Sequence, residues 1–345
     1  MVQWFQEIGI ELCPTTINST KTSLNDCYKK TDTKLSSPTS HLSLLPNNIA
    51  GFHIEPTNIC TLKCAGCART RFIQQWPQHW KNHSIDIQSL MRFLDCDLQG
   101  KTITLCGNYG DPIYHPEFHD LVKEFKQRGS AVIIITNGSY RKPEWWQQLI
   151  ALLDSTDTVV FSVDGTPENF TQYRVNADWP SIEQAMRVCA DSVVQTVWKY
   201  IVFSYNQHDI DAVDQLRSQL GISRLQVEKS DRFDQQTEHL KPTVEFLGSR
   251  YDQQQTWKHT QSLDGVTPKC ANNLEHFISA EGHYVPCCFL QDYRFYYKTP
   301  FGKNKSVYSI SDTTLSQILN QPTTVEFYHT LPHQPGCQYN CPQTT

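Results

Sequence analysis

The chain has 345 residues, with 30 Lys and Arg against 35 Asp and Glu for a formal charge of −5, and 13 cysteines. The odd thiol count excludes complete pairing into disulfides within the chain, and the acidic balance excludes the basic stripe of a general nucleic-acid binder. Apolar runs such as Ala131–Ile135 are too short to cross a bilayer, and no basic-then-apolar signal pattern opens Met1–Cys13. A cytoplasmic location with no membrane or nucleic-acid partner is expected, where thiols bind metal or stay free rather than form bridges.

Residues 1–48 are polar and rich in Ser, Thr and Asn, and read as an N-terminal extension. Short apolar runs then alternate with helical patterns. Strands are expected at Ala50–Glu55, Thr102–Cys106, Ala131–Thr136, Thr158–Val163, Val197–Phe203 and Arg224–Glu228. Helices are expected at Ile85–Asp95, where Ile87, Leu90, Met91 and Leu94 share a face, and at His115–Arg128, Pro143–Leu153, Pro180–Val193 and Ile210–Leu220. Strands alternating with helices call for a parallel sheet with right-handed crossovers. Six such units are too few for a closed eight-stranded barrel, so residues 49–230 are expected to form an α/β fold, a partial (β/α)6 TIM-like barrel. Residues 231–266, rich in Gln, His, Lys and Asp, read as a connection. Residues 267–345 form a small, turn-rich and Cys-rich domain, with a hairpin turning at Glu281-Gly282 between Phe277–Ser279 and His283–Val285.

Cys60, Cys64 and Cys67 follow the first strand directly in C-x3-C-x2-C spacing. Three thiolates on one short loop can each hold one iron of a cluster and leave one metal position open, a reactive arrangement. A structural zinc site supplies four ligands, so a zinc knuckle completed elsewhere is the alternative. In the C-terminal region Cys270, Cys287, Cys337 and Cys341 supply four thiolates that can close around one cluster, or around a structural zinc ion. The spacing favours Cys287, and the adjacent Cys288 is the alternative ligand.

The segment EPTNICTLKCAGCAR, Glu55–Arg69, resembles the signature loop of the radical SAM superfamily. Gly66 stands where an aromatic residue is commoner, and Glu55, Thr57 and Asn58 strengthen the likeness. The resemblance implies that Cys60, Cys64 and Cys67 ligate a [4Fe–4S] cluster whose open iron takes S-adenosylmethionine. One-electron reduction then yields a 5′-deoxyadenosyl radical that abstracts hydrogen from a substrate. Gly107-Asn108-Tyr109-Gly110-Asp111-Pro112 resembles the family's Gly-Gly-Glu-Pro segment, with Asp111 replacing Glu and Asn108–Tyr109 lengthening the loop. The resemblance thus assigns Gly107, Gly110 and Asp111 to the methionine amino group. Asn137, Ser162 and Asp164 at later strand ends fall to other polar groups of the cofactor, and Arg174 to its carboxylate.

The C-terminal spacing is similar to the SPASM/twitch extension of that superfamily, which implies one auxiliary [4Fe–4S] cluster on Cys270, Cys287, Cys337 and Cys341. The implied function is oxidative modification of a ribosomally made peptide. The implied electron donor is a flavodoxin or ferredoxin. A dehydrogenase acting on a small molecule such as a sugar or aminocyclitol, and a non-enzymatic iron–sulfur or zinc redox sensor, are the alternatives. No general acid, base or hydrogen donor is assigned.

Overall fold

The computed structural model describes residues 46–230, 233–248, 275–329 and 341. Residues 1–45 of the N-terminal extension, most of the 231–266 connection, Cys270 and Cys337 lie outside the described residues.

All six expected strands form: β1 (Gly51–Ile54), β2 (Thr102–Leu105), β3 (Ala131–Thr136), β4 (Thr158–Ser162), β5 (Gln195–Ile201) and β6 (Arg224–Glu228). They are parallel neighbours in chain order, with Gly51 opposite Thr102, Thr102 opposite Ala131 and Ile133 opposite Thr158. Parallel strands covered on both faces read as unbroken apolar runs. Val132, Ile133 and Ile134 on β3 and Val159, Val160 and Phe161 on β4 are accordingly buried.

The expected hairpin forms too, as β7 (Glu275–Ile278) and β8 (Tyr284–Val285), antiparallel to each other. β7 pairs parallel to β1, with Gly51 opposite Glu275, so the hairpin continues the sheet. The order is β6-β5-β4-β3-β2-β1-β7-β8, an unclosed eight-stranded sheet.

The connecting helices bury one stripe each. In α2 (Ile87–Phe93), Asp86 caps the first turn by accepting from the Ser89 amide at 2.8 Å, and Leu90 and Phe93 face the sheet. Phe118, Leu121, Val122 and Phe125 form the buried stripe of α3 (Phe118–Gln127). α4 (Pro143–Ile150) and α5 (Trp179–Ala190) open on or near proline, and α6 (Ile210–Gln219) precedes β6. α1 (Ala68–Gln75), immediately after the three cysteines, was not expected: it buries no residue, so no apolar stripe marks it. Beyond β8, among the described residues, come four short helices, α7 (Tyr293–Tyr296), α8 (Pro300–Lys303), α9 (Leu315–Leu319) and α10 (Pro322–His329). Phe277, Tyr284, Phe301, Tyr308 and Phe327 form an aromatic core beneath them. No helix among the described residues is long and apolar enough to cross a membrane.

Candidate active site

The chain leaves β1 into a clasp. The Asn58 amide nitrogen donates to the Lys81 carbonyl at 2.9 Å, and its oxygen accepts from the His83 amide at 2.8 Å. The Thr57 hydroxyl donates to the His83 carbonyl at 2.8 Å. The buried Glu55 carboxylate accepts the Tyr109 and Gly110 amides at 2.7 and 3.1 Å, fixing the loop after β2 against the end of β1. Burial nevertheless pushes its carboxyl up to about 7.

Both glycines of that loop are there because backbone passes too close for a Cβ. One at Gly110 would lie 1.9 Å from the Thr57 carbonyl oxygen, and one at Gly107 would lie 2.2 Å from that of Gly110. The Asp111 amide completes the junction by donating to the Ile59 carbonyl at 2.9 Å.

Cys60, Cys64 and Cys67 are free thiols on the loop so held, Cys64 buried and the other two half-buried. Burial pushes Cys60 and Cys64 up to about 12, and the neighbouring thiols add to this. Arg174 opposes it at Cys64. Hydrogen-bond donors approach the sulfur of Cys60: the Leu62 amide at 3.4 Å and the Asn137 side-chain amide at 3.8 Å. Cys67 begins α1, and its amide donates to the Cys64 carbonyl at 3.1 Å. Among the described residues no three His, Cys, Asp or Glu side chains stand as a ready-made shell for a single metal ion. Three unpaired soft ligands on one loop, with N–H donors and a guanidinium to offset thiolate charge, fit an iron–sulfur cluster.

The other expected cofactor contacts gather at the neighbouring strand ends, where Asp111, Asn137, Asp164 and Arg174 are already bonded within the protein. Asp111 accepts from Thr136 Oγ1 at 2.8 Å, the Asn137 amide at 2.6 Å, Asn137 Nδ2 at 2.5 Å and the Ile113 amide at 3.3 Å. Its carboxyl, pushed up to about 6 by burial, therefore ties the loop after β2 to the end of β3. Arg174 Nε donates to Asp164 Oδ2 at 2.6 Å, and the buried Asp164 also accepts the Ile201 amide at 2.8 Å. Ser162 ends β4 half-buried.

Two contributors carried too faint a sequence signal. Tyr173 lies over Gly66, where an added Cβ would meet its hydroxyl at 3.1 Å, and Phe203 backs the Tyr173 ring at 4.4 Å. The loop-lengthening pair Asn108–Tyr109 reaches the C-terminal domain. Asn108 Nδ2 donates to the Cys288 carbonyl at 2.8 Å. The Tyr109 hydroxyl donates to the Gln291 carbonyl at 3.2 Å and accepts the Tyr293 amide at 3.0 Å.

In that domain Cys287 is half-buried, whereas Cys288 and Cys341 are buried. Contact with Cys287, then burial, holds the Cys288 thiol protonated well above the usual range. Cys270 and Cys337 lie outside the described residues.

A parallel βα sheet whose first loop presents three thiols, with donors aimed at sulfur, is the frame of a barrel-type iron–sulfur protein. A family model for the radical SAM superfamily matches residues 54–216, and one for an iron–sulfur cluster-binding (SPASM) domain matches residues 270–342. The chain carries a radical SAM domain over residues 54–216 and a C-terminal SPASM domain over residues 270–342. With those domains come a SAM-binding [4Fe–4S] cluster and auxiliary iron–sulfur binding.

A curated relative is the tungsten-containing aldehyde ferredoxin oxidoreductase cofactor-modifying protein of Pyrococcus furiosus. It is 32% identical over 119 residues, which is 33% of this chain and 31% of that protein, so the match spans about a third of the relative's length. Among solved structures, native anSMEcpe with bound AdoMet and the Cp18Cys peptide aligns with a TM-score of 0.54 at 15% identity, covering 80% of this chain and 82% of that one. Streptococcus suis SuiB bound to precursor peptide SuiA aligns with a TM-score of 0.53 at 12% identity, covering 82% and 68%. At these identities the likeness is one of fold.

Proposed function

We propose that the protein is a radical SAM maturase that oxidatively modifies a peptide in the cytoplasm, supplied with electrons by a flavodoxin or ferredoxin. A [4Fe–4S] cluster on Cys60, Cys64 and Cys67 supplies, when bound, the electron that cleaves S-adenosylmethionine to a 5′-deoxyadenosyl radical. The observation that carries the reading is the clasp itself. Glu55 and Gly110 lock the loop after β2 onto the loop of three thiols, at the strand-end face where βα folds place their chemistry.

Gly107, Gly110 and Asp111 shape the pocket for the methionine moiety, with Asp111 acting through Asn137, which it orients towards Cys60. Ser162 is offered to the cofactor ribose, and Asp164 holds Arg174 beside Cys64 for the cofactor carboxylate. Residues 267–345 serve as the auxiliary domain, with Cys270, Cys287, Cys337 and Cys341 holding a second cluster. Cys287 is preferred to Cys288 because the latter is packed into a tight helical turn. Precursor-peptide and Cys-peptide complexes of the fold neighbours support a peptide as substrate.

Anaerobically reconstituted protein should hold about eight irons and release 5′-deoxyadenosine under dithionite. The Cys60→Ala, Cys64→Ala, Cys67→Ala triple variant should lose cleavage and keep roughly half the iron. Colourless protein with bound zinc, or cleavage surviving in the triple variant, overturns the proposal.

A further inference from the structure

A cavity of about 710 Å³ opens where β1, β2 and β7 end, between the Glu55–Asn58 clasp and α7. No thiol lines it. Its volume is in the range of sites that enclose ligands rather than surface dimples.

One wall is a mesh of rings. Trp76 meets Tyr293 edge-on at 5.5 Å and Phe72 meets Tyr293 edge-on at 5.6 Å, while Trp80 meets Tyr109 at 6.0 Å. All are at least partly exposed to the cavity or to solvent, so the wall can accept another ring in the same edge-to-face manner.

The charge balance is uneven. Lys305 is neutralised by Glu281 at 3.0 Å, and Glu281 also faces His283 at 3.6 Å. The Glu55 carboxylate is turned to backbone amides. That leaves the exposed Lys81, which has no carboxylate partner among the described residues, as the uncompensated charge.

We infer that this cavity binds a peptide segment presenting an aromatic side chain next to an acidic one, the ring against Trp76 and Tyr293 and the acid on Lys81. The inference rests on the maturase reading for its choice of a peptide, and it narrows the substrate to an aromatic–acidic sequence. The site lies beside the thiol loop, since Asn58 both lines the cavity and stands two residues before Cys60.

The test is calorimetric titration of the anaerobically reconstituted holoenzyme with N-acetyl-Trp-Glu-amide, N-acetyl-Trp-Gln-amide and N-acetyl-Ala-Glu-amide. The first should bind about threefold more tightly than the Gln peptide, the size of one exposed ion pair, and about tenfold more tightly than the Ala peptide, the size of one ring contact. Lys81→Gln, at an exposed position that leaves the fold intact, should abolish the preference for Glu over Gln. Trp76→Leu should abolish the preference for Trp over Ala. Equal binding of all three peptides, no binding of any, or an unchanged Glu preference in Lys81→Gln overturns the inference. The triple cysteine variant separates this outcome from the fate of the maturase reading. Cys60, Cys64 and Cys67 do not line the cavity, so the peptide preference should persist there while cleavage is lost. Cleavage without any peptide preference would sink the inference alone.

Discussion

Asn108 Nδ2 donates to the backbone carbonyl of Cys288 at 2.8 Å, joining the glycine loop after β2 to the turn that carries the Cys287–Cys288 pair. Tyr109, the next residue, makes two more bonds across the same gap, to Gln291 and Tyr293. The two residues that lengthen this loop are therefore the mechanical link between the proposed S-adenosylmethionine site and the proposed auxiliary ligands. A shift in one loop must be felt by the other, because both ends are otherwise packed.

Removing one strand of that link should be measurable without activity. Asn108→Ala deletes a single side-chain-to-backbone bond, worth about 1 kcal/mol and about 2 °C in melting temperature for a domain of this size. The variant should also alter the electron paramagnetic resonance signal of the auxiliary cluster. An unchanged signal would show that the bond is incidental to the cysteine turn.

Asp111→Asn should cost more than its size implies. The native carboxylate accepts four N–H or O–H donors. An amide in its place offers one acceptor and turns an NH2 against donors, leaving at least one buried donor unsatisfied at a cost of ~1–3 kcal/mol. Urea unfolding of the apoprotein should show a lower midpoint with an unchanged slope. Cluster loading should fall as well, since Asn137 is then no longer held towards Cys60.

The barrel was legible in the sequence where burial imposes a pattern. β3 and β6 are found at their expected bounds because apolar runs and flanking turns mark them. β5 starts at Gln195, two residues earlier than its apolar run, because ladder pairing with Thr158 needs only backbone there. The cysteine spacings and the glycine loop were legible because covalent distance along one short segment determines them. The partners of Asp111, Asp164 and Arg174 were not. Which buried donor meets which acceptor depends on how strand ends converge, and no periodicity records that. Likewise the four short helices after β8 are too brief for a repeat of 3.6 to declare itself.

His276 gives the pH dependence a distinct signature. It is 1% exposed, its Nδ1 lies 2.5 Å from the Tyr284 hydroxyl, and burial lowers its ring to about 3. In the unfolded chain the same ring titrates near 6.5. Below pH 6.5 the unfolded state therefore binds a proton that the folded state refuses. The stability from neutral His276 is complete above that pH and is lost as pH falls towards 3. Glu55 and Glu275, both raised to about 7 by burial, act in the opposite sense between pH 4.5 and 7 and blunt the total. Subtracting His276→Gln from the native protein cancels them. The difference in unfolding free energy should shrink by about 2 kcal/mol from pH 7 to pH 5. A difference independent of pH would mean that the ring takes up its proton as readily in the fold as in the unfolded chain.

Gly66 and Tyr173 allow the thiol loop to be tested by exchange. The position before Cys67 lacks its aromatic side chain, and a ring from the loop after β4 covers it instead, with Phe203 behind at 4.4 Å. Tyr173 therefore cannot retreat, and Gly66→Phe forces a ring into occupied space, an overpacking cost of ~1–3 kcal/mol or more. Tyr173→Ala opens a void beside the same backbone and should weaken S-adenosylmethionine binding while leaving the iron content unchanged. The double variant Gly66→Phe, Tyr173→Ala restores a ring to the gap from the opposite side. If Tyr173 serves as the missing aromatic, the double variant should load its cluster better than Gly66→Phe and bind the cofactor better than Tyr173→Ala. Equilibrium dialysis with S-adenosylmethionine and iron analysis read both. If the two losses instead add, the rings do not share the space, and Tyr173 is only a wall of the aromatic cluster with Phe203.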